Sequence, residues 1–172
     1  MRALGILLVS LLIRSCDLGN TPEKVSDEGS IANNEDCITA GFQLSYRLTD
    51  TNGVGKTTFK SGEDFLVTLA ITNLSSEIQI IAHSGPIVIF SALSADSTIA
   101  TSVDGLAWPQ NVILDTLGVA ETLTFRWQGP NSVARIPRRS FAPGYYTVAA
   151  GFRTVFGGHE VCDPKPLNLL VE

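Results

Sequence analysis

The sequence predicts an all-β domain, a sandwich of about seven to nine antiparallel strands, behind an export segment and an acidic tether. Three observations carry this: apolar residues alternate with a period of two, clusters of turn residues separate the alternating runs, and no stretch keeps a helical period. The chain begins with an apolar run, Ala3–Ile13, behind one early cation, Arg2. As a helix those 11 residues reach about 16 Å, short of the ~30 Å hydrocarbon core, so the run reads as an export address and not as a membrane span. The segment Asp17–Cys37 follows, with six acids (Asp17, Glu23, Asp27, Glu28, Glu35, Asp36) against Lys24. It holds too little apolar surface to offset the entropy of ordering it, and residues 16–37 are read as a flexible tether.

Residues 38–172 are one domain by length, with nine bases and 11 acids. Phe65, Val67, Leu69 and Ile71 share one face of a strand, with Thr68 and Thr72 on the other. Similar runs are read at Phe42–Leu48, Ile78–Ala82, Ile87–Leu93, Val112–Leu114, Thr122–Trp127, Tyr145–Phe152 and Leu167–Val171. Between them lie Asp50-Thr51-Asn52-Gly53, Lys60-Ser61-Gly62-Glu63, Asn73-Leu74-Ser75-Ser76, Ser84-Gly85-Pro86, Asp104-Gly105 and Ala142-Pro143-Gly144. Asn73 is expected to end its strand by bonding its own backbone, and Pro143-Gly144 to fill the centre of a type II turn. Tyr146, just after that turn, is a candidate tyrosine corner; the alternative for Tyr145 and Tyr146 is an exposed binding pair.

The N-terminal run stops at Ser15-Cys16, and this resembles the lipobox of bacterial lipoproteins. The resemblance implies acylation of Cys16, with residues 1–15 as the signal peptide, Ser15 as the small residue before the cysteine and Ile13 as the apolar residue three before it. Arg14 departs from the pattern, which has a small or apolar residue there. There are three cysteines, and lipidation of Cys16 leaves Cys37 and Cys162 to pair in an oxidising compartment. Such a bridge closes a loop of about 125 residues and stabilises by roughly 4–5 kcal/mol at most. Two unpaired buried thiols are the alternative.

The block Phe59-Lys60-Ser61-Gly62-Glu63-Asp64-Phe65 through Asn73-Leu74-Ser75-Ser76-Glu77 looks like one shared by many bacterial immunoglobulin-like domains. Leu117 through Trp127, and Ala142-Pro143-Gly144-Tyr145-Tyr146-Thr147-Val148, resemble later blocks of the intracellular proteinase inhibitor family of the BsuPI type. The likeness covers roughly Phe42–Phe152. It implies an immunoglobulin-like sandwich and, from the second family, protease inhibition. Where that family has proline and glycine, Val119 and Ala120 stand ahead of Glu121. In immunoglobulin-like sandwiches part of the first strand can run parallel to the last, which would bring Cys37, before Phe42, near Cys162, before Leu167.

Little in the chain reads as reaction chemistry. Gly53-Val54-Gly55-Lys56-Thr57-Thr58 lacks the leading glycine of a phosphate-binding loop, since Asp50 occupies that position, and is read as a hairpin loop. His83 and His159 are far apart and have no ligand-spaced partner; no metal or cofactor is expected. Asn73-Leu74-Ser75 matches a glycosylation sequon that has no use behind a bacterial-type signal. With no basic stripe, nucleic acid is not an expected partner. Two loops remain: Trp108 in one, and Arg135, Arg138 and Arg139 in another. They are expected to meet at one end of the sandwich as a partner-facing surface, because loops carry binding residues and Trp and Arg anchor interfaces. The alternative is that Trp108 covers the open end of the core and the arginines are solvated. The whole reads as a lipid-anchored envelope lipoprotein whose domain is a non-catalytic protein-binding or assembly module. The alternative is a BsuPI-type proteinase inhibitor acting in the envelope.

Overall fold

The period-two alternation read in the sequence reappears as alternating burial along the strands. In the computed structural model, residues 31–33, 41–95, 97–108, 111–129, 141–158 and 161–172 are described. The elements are β1 (Ile31–Asn33), β2 (Phe42–Thr49), β3 (Thr58–Phe59), β4 (Phe65–Asn73), β5 (Gln79–His83), β6 (Val88–Ser94), β7 (Ser97–Thr101), β8 (Ile113–Leu117), β9 (Thr122–Gly129), β10 (Gly144–Phe152) and β11 (Leu167–Val171). The described chain is all-β, and none of its segments is a helix long and apolar enough to cross a membrane.

One sheet has the order β1-β2-β4-β9, a second β3-β11-β10-β6-β7, and β5 and β8 form a separate two-stranded ribbon. Pairing is antiparallel except between β3 and β11. The two larger sheets face each other. Phe42, Leu44, Tyr46 and Leu48 of β2 and Phe65, Val67, Leu69 and Ile71 of β4 are buried opposite Val88, Phe90, Val148, Leu167 and Leu169 of the other sheet. Burying each such side chain stabilises by roughly 1.5–3 kcal/mol, which makes this alternation the main determinant of the fold. The Tyr46 hydroxyl donates across the interface to the Val148 carbonyl at 3.2 Å, and burial pushes its phenol pKa up. Trp127 packs edge-on to Phe65 at 5.6 Å and stacks with Phe90 at 6.3 Å. Gly129 faces the Phe65 ring so closely that an added Cβ would lie 2.3 Å from Phe65 Cζ, so the register of β9 on β4 requires glycine there.

The Tyr146 hydroxyl donates to the Ala142 carbonyl at 2.8 Å, four residues upstream, the bond expected of a tyrosine corner. Tyr146 is buried while Tyr145 is 81% exposed, so the two do not form an exposed pair. Gly144 is the first residue of β10 with φ at 153°, away from the roughly +80° of a type II turn, so that turn is not formed as expected. Residues 50–55 are a hairpin loop: Asp50 Oδ1 accepts from the Asn52 and Val54 amides at 2.9 Å each, and strand β3, not a helix, follows.

Three strands went unforeseen. Residues Ile31–Asn33 lie within the segment read as tether, yet pair with Arg47, Tyr46 and Ser45 of β2. The other two are β3 and β7. The parallel neighbour of the last strand is β3, through Leu170↔Thr58 and Val171↔Phe59, where the sequence pointed to the first strand.

Candidate functional site

Trp108 lies in the loop between β7 and β8 and is 46% exposed. It lies against Gly85, whose added Cβ would sit 3.8 Å from Trp108 Cβ and Cγ. With Leu106, Val103, Phe125, Arg126 and Ser102 it lines an open cleft of about 320 Å³ on one side of the molecule, where β9 and β7 are the edges of the two facing sheets. Asp104, in the same loop, accepts from the Thr101 hydroxyl at 2.7 Å and its amide at 3.1 Å, which fixes the start of the loop.

Arg135, Arg138 and Arg139 lie outside the described residues, as do Cys16, Cys37 and His159. The residues flanking the arginine segment are placed. Gly129 pairs with Phe65 and Phe141 stacks on Tyr146 at 4.8 Å, at the end of the sandwich where β6 finishes. Trp108 sits by Pro86 and Val88, where β6 begins. The described residues therefore hold Trp108 at one end and the flanks of the arginine segment at the other. Cys162 is exposed at the Trp108 end of β10, near Phe152, whose amide donates to Asp163 Oδ1 at 3.0 Å.

Next to Trp108 the ribbon presents an apolar face that sequence reasoning missed. In its register Ile80 pairs with Thr116 and Ala82 with Leu114, while Ile81 pairs with Asp115 and Gln79 with Leu117. Ile81 and Leu117 are buried, so the other face turns out, with Ile80 57% and Leu114 69% exposed. Ile78 at 64% and Val112 at 70% extend it at the same parity. No charged residue interrupts these positions. A signal was present: three successive apolar residues, Val112-Ile113-Leu114, cannot all point inward from a strand.

The ribbon is held firmly, so its apolar face is not the product of loosely attached strands. His83 Nδ1 lies 2.6 Å from the Gly85 carbonyl and Nε2 lies 3.0 Å from Asp115 Oδ2, tying β5 to β8 and to the turn under Trp108. Ile81 bridges to Phe156, and the Gly157 amide donates to the Ile80 carbonyl at 2.8 Å. Asn73, fully buried, donates from Nδ2 to the carbonyls of Glu77, Leu117 and Gly118 at 2.8, 3.1 and 3.1 Å, and its Oδ1 accepts from the Ser75 amide and hydroxyl. It thus ends β4, as expected, and also fixes the ribbon; orphaning those carbonyls would cost about 1–3 kcal/mol each. Buried in this way, the sequon asparagine is closed to glycosylation.

Among the described residues no group of three or more His, Cys, Asp or Glu is placed to hold a metal. The arrangement is an apolar face with a cleft beside it, carrying one cation, Arg126, and suited to contact. No family model matches the chain, and no curated protein matches it. Among solved structures it is similar to a β-glucosidase from Listeria innocua in complex with glucose, with 15% identity and a TM-score of 0.40 over 76% of this chain and 16% of that one. It is also similar to an alkylpurine DNA glycosylase from Pseudomonas fluorescens, with 12% identity and a TM-score of 0.41 over 77% of this chain and 30% of that one. At TM-scores near 0.4 these likenesses assign the chain neither a fold family nor an activity.

Proposed function

We propose that the protein is an exported lipoprotein, anchored through acylated Cys16 in a bacterial envelope, whose immunoglobulin-like sandwich is a non-catalytic module that binds another envelope protein. The observation that carries this reading is the outward face of the β5–β8 ribbon, where Ile78, Ile80, Val112 and Leu114 stand exposed beside the half-exposed Trp108. Soluble domains seldom leave contiguous aliphatic surface in water, and patches of this kind mark partner sites. The firm attachment of the ribbon through His83 and Asn73 favours a preformed docking face, which keeps the entropy cost of binding low.

The anchoring half of the reading rests on Arg2, the apolar run Ala3–Ile13 and Ser15-Cys16. A bridge between Cys37 and Cys162 belongs to it as well, since lipidation of Cys16 leaves these two cysteines to pair. The tyrosine corner at Tyr146 and the facing sheets support the immunoglobulin-like assignment.

Crosslinking in intact cells, comparing the native protein with an Ile80→Gln/Leu114→Gln variant, tests the module. The variant should keep its envelope fraction and lose its protein adducts; unchanged adducts would overturn the assignment of the ribbon. Cys16→Ser should release the protein from the membrane fraction, and a native chain already soluble would remove the anchor. A protease panel addresses the runner-up: lowered turnover with the domain left intact would favour an inhibitor.

A further inference from the structure

Beyond the ribbon, the open side of the sandwich has features that the ribbon does not explain. Strand β9 is the edge of its sheet, eight residues long and free of proline, and on its other side it pairs with no strand among the described residues. Natural proteins usually blunt such an edge with proline, a bulge or short length, because its unpaired amides and carbonyls invite another strand. The cleft runs along this edge, with Phe125 and Trp108 supplying apolar lining and Arg126 the one charge. Arg126 has no carboxylate partner among the described residues. Its register places it across Thr68 from Arg47, whose guanidinium donates to Ser45 Oγ, so two cations share the outer face of the sheet with no carboxylate partner among the described residues.

We infer that the edge of β9 takes an extended, acidic segment of a partner protein by strand addition. Resting on the protein-binding reading, this names how that partner is held. Side chains alternate along a strand, so an added strand would present every second residue to the face of Thr124 and Arg126 and the others to the cleft at Phe125 and Trp108. The segment that fits alternates acidic with aliphatic residues. A carboxylate on Arg126 makes a charge-assisted bond, and an aliphatic side chain fills the space beneath the indole. Backbone bonds to β9 would supply affinity, with Arg126 and Trp108 supplying selection.

The test uses a synthetic strand-length peptide alternating Glu with Val, its Lys-for-Glu counterpart and a version N-methylated at alternate amides, all added to the full-length protein. The Glu peptide should slow hydrogen exchange of β9 amides and change the fluorescence of Trp108, a signal that Trp108→Phe identifies. The Lys and N-methylated peptides should bind at least about tenfold more weakly. Arg126→Glu, a surface change, should invert the preference between Glu and Lys peptides. Equal binding of all three peptides would overturn the inference, and so would protection, in the free protein, of the alternate β9 amides that point away from β4. If the peptides fail while Ile80→Gln/Leu114→Gln still abolishes crosslinks in cells, strand addition falls and the protein-binding reading stands. Peptide binding with crosslinks indifferent to the ribbon variant leaves strand addition standing and removes the ribbon as the docking face.

Discussion

The Glu121 amide donates to the Gly118 carbonyl at 3.1 Å, closing a turn in which Ala120 takes φ of 59°. Such a left-handed backbone favours glycine, because a Cβ there costs about 1–2 kcal/mol. Ala120→Gly is therefore expected to raise stability by about 1 kcal/mol after the added freedom of glycine in the unfolded chain is set against the relieved strain. Urea denaturation measures it; a loss of stability would mean the turn is not under strain. Glu63 gives a pH prediction. A hydrogen bond from the Lys56 ammonium, and next the Lys60 amide, hold its carboxyl below the usual carboxylate range. The unfolded chain then binds protons more readily, so this contribution is present above the ordinary carboxylate pKa and is lost as pH falls through the lowered value. Glu63→Gln should flatten the acid limb of a stability-against-pH curve, and a limb unchanged in slope would contradict it.

The ribbon marks the limit of what the strands disclose in sequence. Strands β2, β4, β10 and β11 were legible because each alternates cleanly and packs on one core. The short β3 was not, because its two residues are set by a parallel partner more than a hundred positions away. In β7, Ser97-Thr98-Ile99-Ala100-Thr101 is too polar to announce a strand, and it forms because β6 offers an edge. Of the site, Trp108 was legible as a lone aromatic in a loop, whereas the outward face at Ile80 and Leu114 depends on the register of two strands separated by β6 and β7. A pair of substitutions separates the two faces of this element. Ile81→Ala, at a fully buried position, should cost about 2–5 kcal/mol. Leu114→Gln, outward and exposed, should change stability by no more than about 0.5 kcal/mol. Thermal melts of both variants check this, and a Leu114→Gln loss as large as that of Ile81→Ala would mean the face is packed against the domain itself.

At the scale of the molecule, two facing sheets give a rigid body whose polar outer face, at Gln43, Thr72, Thr122 and Thr124, contrasts with the aliphatic ribbon and the Trp108 cleft. The core could have been assembled with that ribbon turned inward or its outer positions polar. That it is stapled in place with aliphatic residues outward is the central fact to be explained, and the proposed partner protein would account for it. Site-specific photocrosslinking in intact cells tests this most directly, with a photoreactive side chain placed in turn at Trp108, Leu114 and Gln43. The account predicts one and the same protein adduct from positions 108 and 114 and none from position 43. Adducts equally abundant from position 43, or labelling at all three positions by lipid and solvent alone, would contradict it.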